Sequence, residues 1–169
     1  MAMITSAMNA KLSEQVTNEL FASHAYLAMS WAFENMGLKV MAARFKQQSD
    51  EERMHALKIA KYLHDVGGEP KLDAIPKPAA DLSTPEKIVQ AALDSEHRVT
   101  AQINQIVALA QSENDYTSRN FLEWFVNEQV EEVASMNELL QLVRMAGDKN
   151  MLLVEARLAQ TMGEKEEEE

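Results

Sequence analysis

The sequence predicts an all-α protein: a four-helix bundle with a long crossover between helices two and three and a short fifth helix at the C-terminus. Three observations carry that expectation. Only 5 Gly and 4 Pro occur in 169 residues, and Ala, Leu, Met, Glu, Gln and Lys dominate, a mix that favours helix. Four long stretches carry apolar side chains at three-to-four spacing, and none alternates as a strand would. Two tight turns and one long link join these stretches.

The elements follow in order. The first helix is expected over residues 10–36, stopping at Gly37, and the second over 39–66, stopping at Gly67-Gly68; glycine just past a helix is the usual stop. Residues 67–82 contain Pro70, Pro76 and Pro78 and read as a loop. Ser83-Thr84-Pro85-Glu86 reads as a capping box with proline in the first turn of the third helix, which runs to about residue 112. Glu113-Asn114-Asp115 is a polar turn into the fourth helix, which ends near Ala146 before Gly147. A shorter amphipathic segment covers residues 150–162. Helices of nearly 30 residues are each about 40 Å long. A link of about 16 residues, extended, reaches about 50 Å. It therefore spans the bundle and makes helices two and three parallel. Residues 1–9 are expected to be a flexible N-terminus, residues 10–162 one domain, and the nearly all-Glu stretch 163–169 a disordered acidic tail.

Composition narrows the function. The apolar fraction of 46% and charged fraction of 25% are those of a soluble globular protein. Zero Cys excludes disulfides, iron–sulfur clusters and thiolate zinc sites, and fits a reducing compartment. A net charge of −11 argues against nucleic acid and anionic membranes and for attraction of cations. No apolar run approaches the roughly 20 residues of a membrane span. The start of the chain lacks the basic and apolar regions of a secretory signal.

Each apolar stripe is interrupted near its middle by a metal-ligand residue. Helix one gives Leu12, Val16, Glu19, Ser23, Tyr26; helix two Phe45, Gln48, Glu52, His55, Ile59; helix three Ala92, Glu96, Val99; helix four Phe125, Gln129, Glu132, Met136. Carboxylates are rarely buried unless paired or metal-bound. A purely polar layer here would bury three or four acids against one His, and unpaired buried charge costs several kcal/mol. A pair of dications removes that mismatch.

Glu52-Arg53-Met54-His55 is an E-x-x-H motif, whose ends share one helix face. Hard carboxylate oxygens with a borderline imidazole suit iron. Glu19 would then hold one iron and Glu96 the other, with Glu52 bridging, and Gln129 and Glu132 facing the same centre. Tyr26, two turns beyond Glu19, is placed to supply a hydrogen bond or an electron. Glu51, Glu128 and Glu131 form a neighbouring acidic group that, with Glu132, either holds a third iron or is a solvated face. His24, His64 and His97 lie off the stripes and are expected at the surface. Trp31 and Trp124 read as packing residues.

Over residues 11–162 the chain resembles the bacterial non-haem ferritins. The resemblance is carried by Asn18-Glu19-Leu20 with Tyr26, by Glu51-Glu52-Arg53-Met54-His55, by Glu96, and by the run from Asn120 to Glu132. It implies Glu19, Glu52 and His55 at a first ferroxidase iron, and Glu52, Glu96 and Glu132 at a second, with Gln129 close by. It implies a third iron at Glu51, Glu128, Glu131 and Glu132, and places Tyr26 at the family's tyrosine beside the centre. It further implies a cytoplasmic homo-oligomer in which twenty-four copies form a cage. Fe(II) would be oxidised there by O2 or H2O2 and stored as a ferric mineral.

Bacterioferritins are also similar, but carry a second E-x-x-H where this chain has Gln129-Val130-Glu131-Glu132, and a haem-binding Met where it has Arg53. Haem is therefore not expected. Rubrerythrins need a Cys₄ iron domain that a chain without Cys cannot build, and miniferritins lack this helix-three Glu. A di-iron redox enzyme acting on an organic substrate is the alternative function.

Overall fold

The computed structural model describes residues 3–166. Its helices are α1 (Ser6–Asn35), α2 (Lys39–Asp65), α3 (Pro85–Ser112), α4 (Tyr116–Ala146) and α5 (Met151–Glu166), with a single 3₁₀ turn at Asp148–Asn150 before α5. Among the described residues there is no strand, so the all-α expectation holds.

Local chemistry sets the ends. Thr5 caps α1 by accepting from the Met8 amide at 3.1 Å. The helix thus begins at Ser6 rather than Ala10, and Met8 is fully buried, so part of the stretch expected to be a flexible arm belongs to the bundle. Gly37 and Gly67 have φ of 78° and 79°, where a side chain is strained. Around them Leu38 N–H bonds the Phe33 carbonyl at 3.0 Å and Gly68 N–H bonds that of Leu63 at 2.8 Å, closing Schellman motifs. Asn114 makes the same turn at φ 56°, and Asp115 caps α4 through the Ser118 amide at 2.9 Å.

One detail differs from the sequence reading. The α3 cap is Thr84, not Ser83, and Glu86 does not complete a capping box: it pairs with Arg144 of α4 at 2.7 Å. The start of α2 has no side-chain cap of its own. Instead Glu155 of α5 accepts from the Val40 and Met41 amides at 2.9 and 2.8 Å. A carboxylate at a helix N-terminus satisfies orphan donors and complements the dipole. At the other end, the α5 backbone is helical through Glu166, and the rest of the expected acidic tail lies outside the described residues.

The core has two storeys. One joins the end of α1 (Met29, Phe33), the start of α2 (Met41, Phe45), the start of α3 (Ile88, Val89) and the end of α4 (Met136, Val143), and α5 packs on it through Val154 and Leu158. The other joins the start of α1 (Met8, Leu12), the end of α2 (Ile59, Leu63), the end of α3 (Ile103, Ile106) and the start of α4 (Leu122, Phe125). This partition requires α2 and α3 to run parallel, antiparallel to α1 and α4, as the long link implied. The link itself lies against α1. Glu69 and Asn9 exchange bonds of 2.9 and 3.0 Å, Lys71 N–H reaches Ser13 at 3.2 Å, and Asp73 N–H reaches Thr17 at 3.3 Å. Two extended residues advance about 6.6 Å, and four helical residues about 6 Å, so the two segments stay in step.

Candidate metal centre

Between the storeys lies one polar layer. The 3.6-residue period that turns each apolar stripe inward also carries Glu19, Glu52, His55, Glu96, Gln129 and Glu132 inside, one or two from each helix. All six are buried, Glu19 completely. Every centre residue expected from the stripes is therefore buried.

Among the described residues, one group of three His, Cys, Asp or Glu side chains has donor atoms within 4.8 Å of each other: Glu19, Glu52 and His55. His55 Nδ1 stands 3.4 Å from Glu52 Oε2. Glu96 is held across the bundle, where the Tyr26 hydroxyl donates to its Oε1 and the Gln129 amide donates to its Oε2 at 3.4 Å. Gln48 donates to Glu52 Oε1 at 3.4 Å. Glu51 and Glu128 are half-buried and Glu131 exposed. They neither join the central group nor form a second one of that kind, although the charges of Glu51 and Glu128 act on Glu132 and His55.

Supporting residues were harder to see in advance. Gln15 donates to Glu19 Oε1 at 2.8 Å, and Thr100 bonds both the Glu96 carbonyl at 2.8 Å and Gln129 Oε1 at 3.0 Å. Gln15 and Gln48 each precede a buried Glu by one helical turn, and Thr100 follows one. That i,i+4 spacing is the signal that could have found them. Trp124 packs its ring against the edge of His55 at 5.4 Å and carries the Lys58 ammonium 3.2 Å above its centroid. Trp31, expected to pack, is 62% exposed in the single chain. His24, His64 and His97 are exposed, as expected.

The electrostatics show a site short of positive charge. Burial, then the charge of Glu52, pushes the Glu19 carboxyl well above the usual range. The same causes in the same order raise Glu96 to about 8, and burial raises Glu132 to about 7. Tyr26 is pushed up by burial and by Glu96. Burial alone would lower His55, but the adjoining Glu52 carboxylate and the charges of Glu132 and Glu128 outweigh that and raise it.

A metal fits this deficit. Glu19 Oε2 and Glu52 Oε2 are buried without a hydrogen-bond partner, in a layer where such atoms are costly. Both belong to the group whose donor atoms converge. The donor set, four carboxylates and one imidazole, is that of a hard divalent cation or iron.

A model of the ferritin-like domain matches residues 9–146. Ferritin BfrB of Mycolicibacterium smegmatis is 33% identical, over 94% of this chain and 87% of the relative. A bacterial non-heme ferritin of Bacteroides fragilis is 32% identical, over 94% of this chain and 99% of the relative. The open pore ferritin of Archaeoglobus fulgidus superposes with a TM-score of 0.89 at 32% identity, covering 94% of this chain and 98% of its own.

Proposed function

Because the chain belongs to the ferritin family, we propose that it stores and detoxifies iron, oxidising Fe(II) to Fe(III) at the intra-subunit polar layer. The observation that carries this reading is the pair of orphaned buried oxygens, Glu19 Oε2 and Glu52 Oε2, beside His55. Iron is the substrate. Glu19 and His55 hold the first ion, Glu96 and Glu132 the second, and Glu52 bridges them. Gln129 and Tyr26 orient Glu96, and Gln15 orients Glu19.

The raised pKa values belong to the same mechanism. Glu96 and Glu132 hold protons near neutrality when no cation is present and release them when Fe(II) arrives, so binding is linked to proton release. Two Fe(II) give up one electron each. The electron pair reduces O2, with two protons, to H2O2, or reduces H2O2, with two protons, to water. The protein contributes by fixing two ions side by side and balancing their charge as it rises. Ferric product moves on to a mineral inside a cage of twenty-four subunits. Glu51, Glu128 and Glu131, with Glu132, supply a third iron position on the α2 side of α4. The protein works in the cytoplasm, without haem, nucleic acid or membrane.

An enzyme acting on an organic molecule is disfavoured by the burial of Glu19, Glu52 and His55 between two apolar storeys. The test is Glu52→Ala. Stopped-flow oxidation of Fe(II) should collapse while light scattering still shows the full assembly; unchanged oxidation kinetics refutes the assignment.

A further inference from the structure

A cleft on the α3–α4 face meets the polar layer. Its volume is about 540 Å³. Ile103, Val126, Val130, Val133 and Ala134 form its apolar walls, and the neutral amides of Asn104 and Asn137 also line it. Gln129 and Thr100 also line it, and these two residues are hydrogen-bonded to each other and to Glu96. Gln129 thus faces the cleft on one side and holds the Glu96 carboxylate on the other, and Thr100 braces it from the Glu96 backbone. No carboxylate, Lys or Arg lines the cleft, and His97 is its one titratable side chain.

That lining sorts the two substrates. A hydrated Fe(II) ion loses solvation on entering an uncharged, valine-walled space and finds no anion there to replace it. The half-buried carboxylates Glu51 and Glu128 lie outside this cleft. Dioxygen is neutral and apolar and loses nothing in such a space. We propose that the α3–α4 cleft is the binding and access site for O2, delivering it to the centre past the Gln129–Thr100 pair. The proposal rests on the ferroxidase reading and adds a separate route for the oxidant.

The test uses the intact assembly. Crystals pressurised with xenon, which occupies dry apolar cavities, should show xenon density between Val130 and Ile103. Val130→Trp changes a residue that is 68% exposed and narrows the mouth without touching the centre. Initial rates measured against O2 concentration should show KM for O2 raised several-fold with kcat at saturating O2 unchanged, the signature of impaired access rather than impaired chemistry. Ala134→Leu, one turn further along α4, is the second variant should Val130→Trp fail to assemble. Anaerobic Fe(II) titration of wild type and variant separates the two claims. If Fe(II) binds in both and KM for O2 is unmoved, the cleft is not the route. If wild type binds no Fe(II), the ferroxidase reading itself fails. An empty cleft under xenon, or slowing confined to the peroxide-driven reaction, also overturns the proposal.

Discussion

Replacing Glu96 with Gln is expected to stabilise the metal-free protein in alkali and leave it unchanged in acid. Glu96 ionises near 8 in the fold against an ordinary 4.5, chiefly because it is buried and secondly because Glu52 is close. In the unfolded chain it ionises at the ordinary value. Between these two pH values the native state holds a proton that the unfolded state has lost, so stability falls as pH rises and levels off above about 8. The span is about 3.5 pH units, and at 1.36 kcal/mol per unit the total is about 5 kcal/mol. The amide of Gln is nearly isosteric, still accepts from the Tyr26 hydroxyl, and carries no charge to bury. Denaturant unfolding of chelator-treated protein at fixed protein concentration reads the difference. The gap between variant and wild type should be near zero at pH 4, open through neutrality, and reach a few kcal/mol at pH 9. A gap independent of pH, or a variant less stable at pH 9, would show that Glu96 does not carry the buried charge.

Other outcomes follow from the same geometry. A redox-inert dication such as Zn²⁺ should raise the stability of the metal-free protein by about 2.7 kcal/mol at one hundred times its dissociation constant and flatten the pH dependence; thermal unfolding with and without the ion checks this, and no shift at saturation argues against a cation site. Glu155→Ala should cost about 1 kcal/mol by leaving the α2 amides uncapped, with faster hydrogen exchange at Val40 and Met41 as its local signature; equal exchange rates there would mean the α5 carboxylate is not the cap. Gly37→Ala should cost up to about 1 kcal/mol from backbone strain alone, because an added Cβ meets nothing within 4 Å; a larger loss in chemical denaturation would point to a clash instead.

Much of this architecture was legible in the chain. Stripes at helical period placed Glu19, Glu52, His55, Glu96, Gln129 and Glu132 at one depth because burial follows the helix period directly. The length of the 67–82 link gave the parallel pairing of α2 and α3. Less visible were contacts that depend on how whole helices meet. Tyr26 was expected near the centre, but that it serves Glu96, 70 residues away, depends on the α1–α3 approach. The Glu155 cap on α2 depends on where α5 folds back, which no local pattern encodes. The start of α1 was misplaced because Met8 pairs with the far end of α2, a long-range contact that overrides the weak local signals around Thr5.

The crossover carries a constraint on what insertions and deletions this scaffold tolerates. Its amides bond α1 at residues 69, 71 and 73, alternate positions of an extended segment, against Asn9, Ser13 and Thr17, successive turns of a helix. Adding or removing a single residue there turns every following amide outward, away from its acceptor. A change of two residues restores the alternation and slips the register by one turn. The length of this loop is therefore quantised in pairs, unlike that of ordinary surface loops. Lineages or engineered libraries built on this chain should accept indels of even size in the first half of the link and reject odd ones.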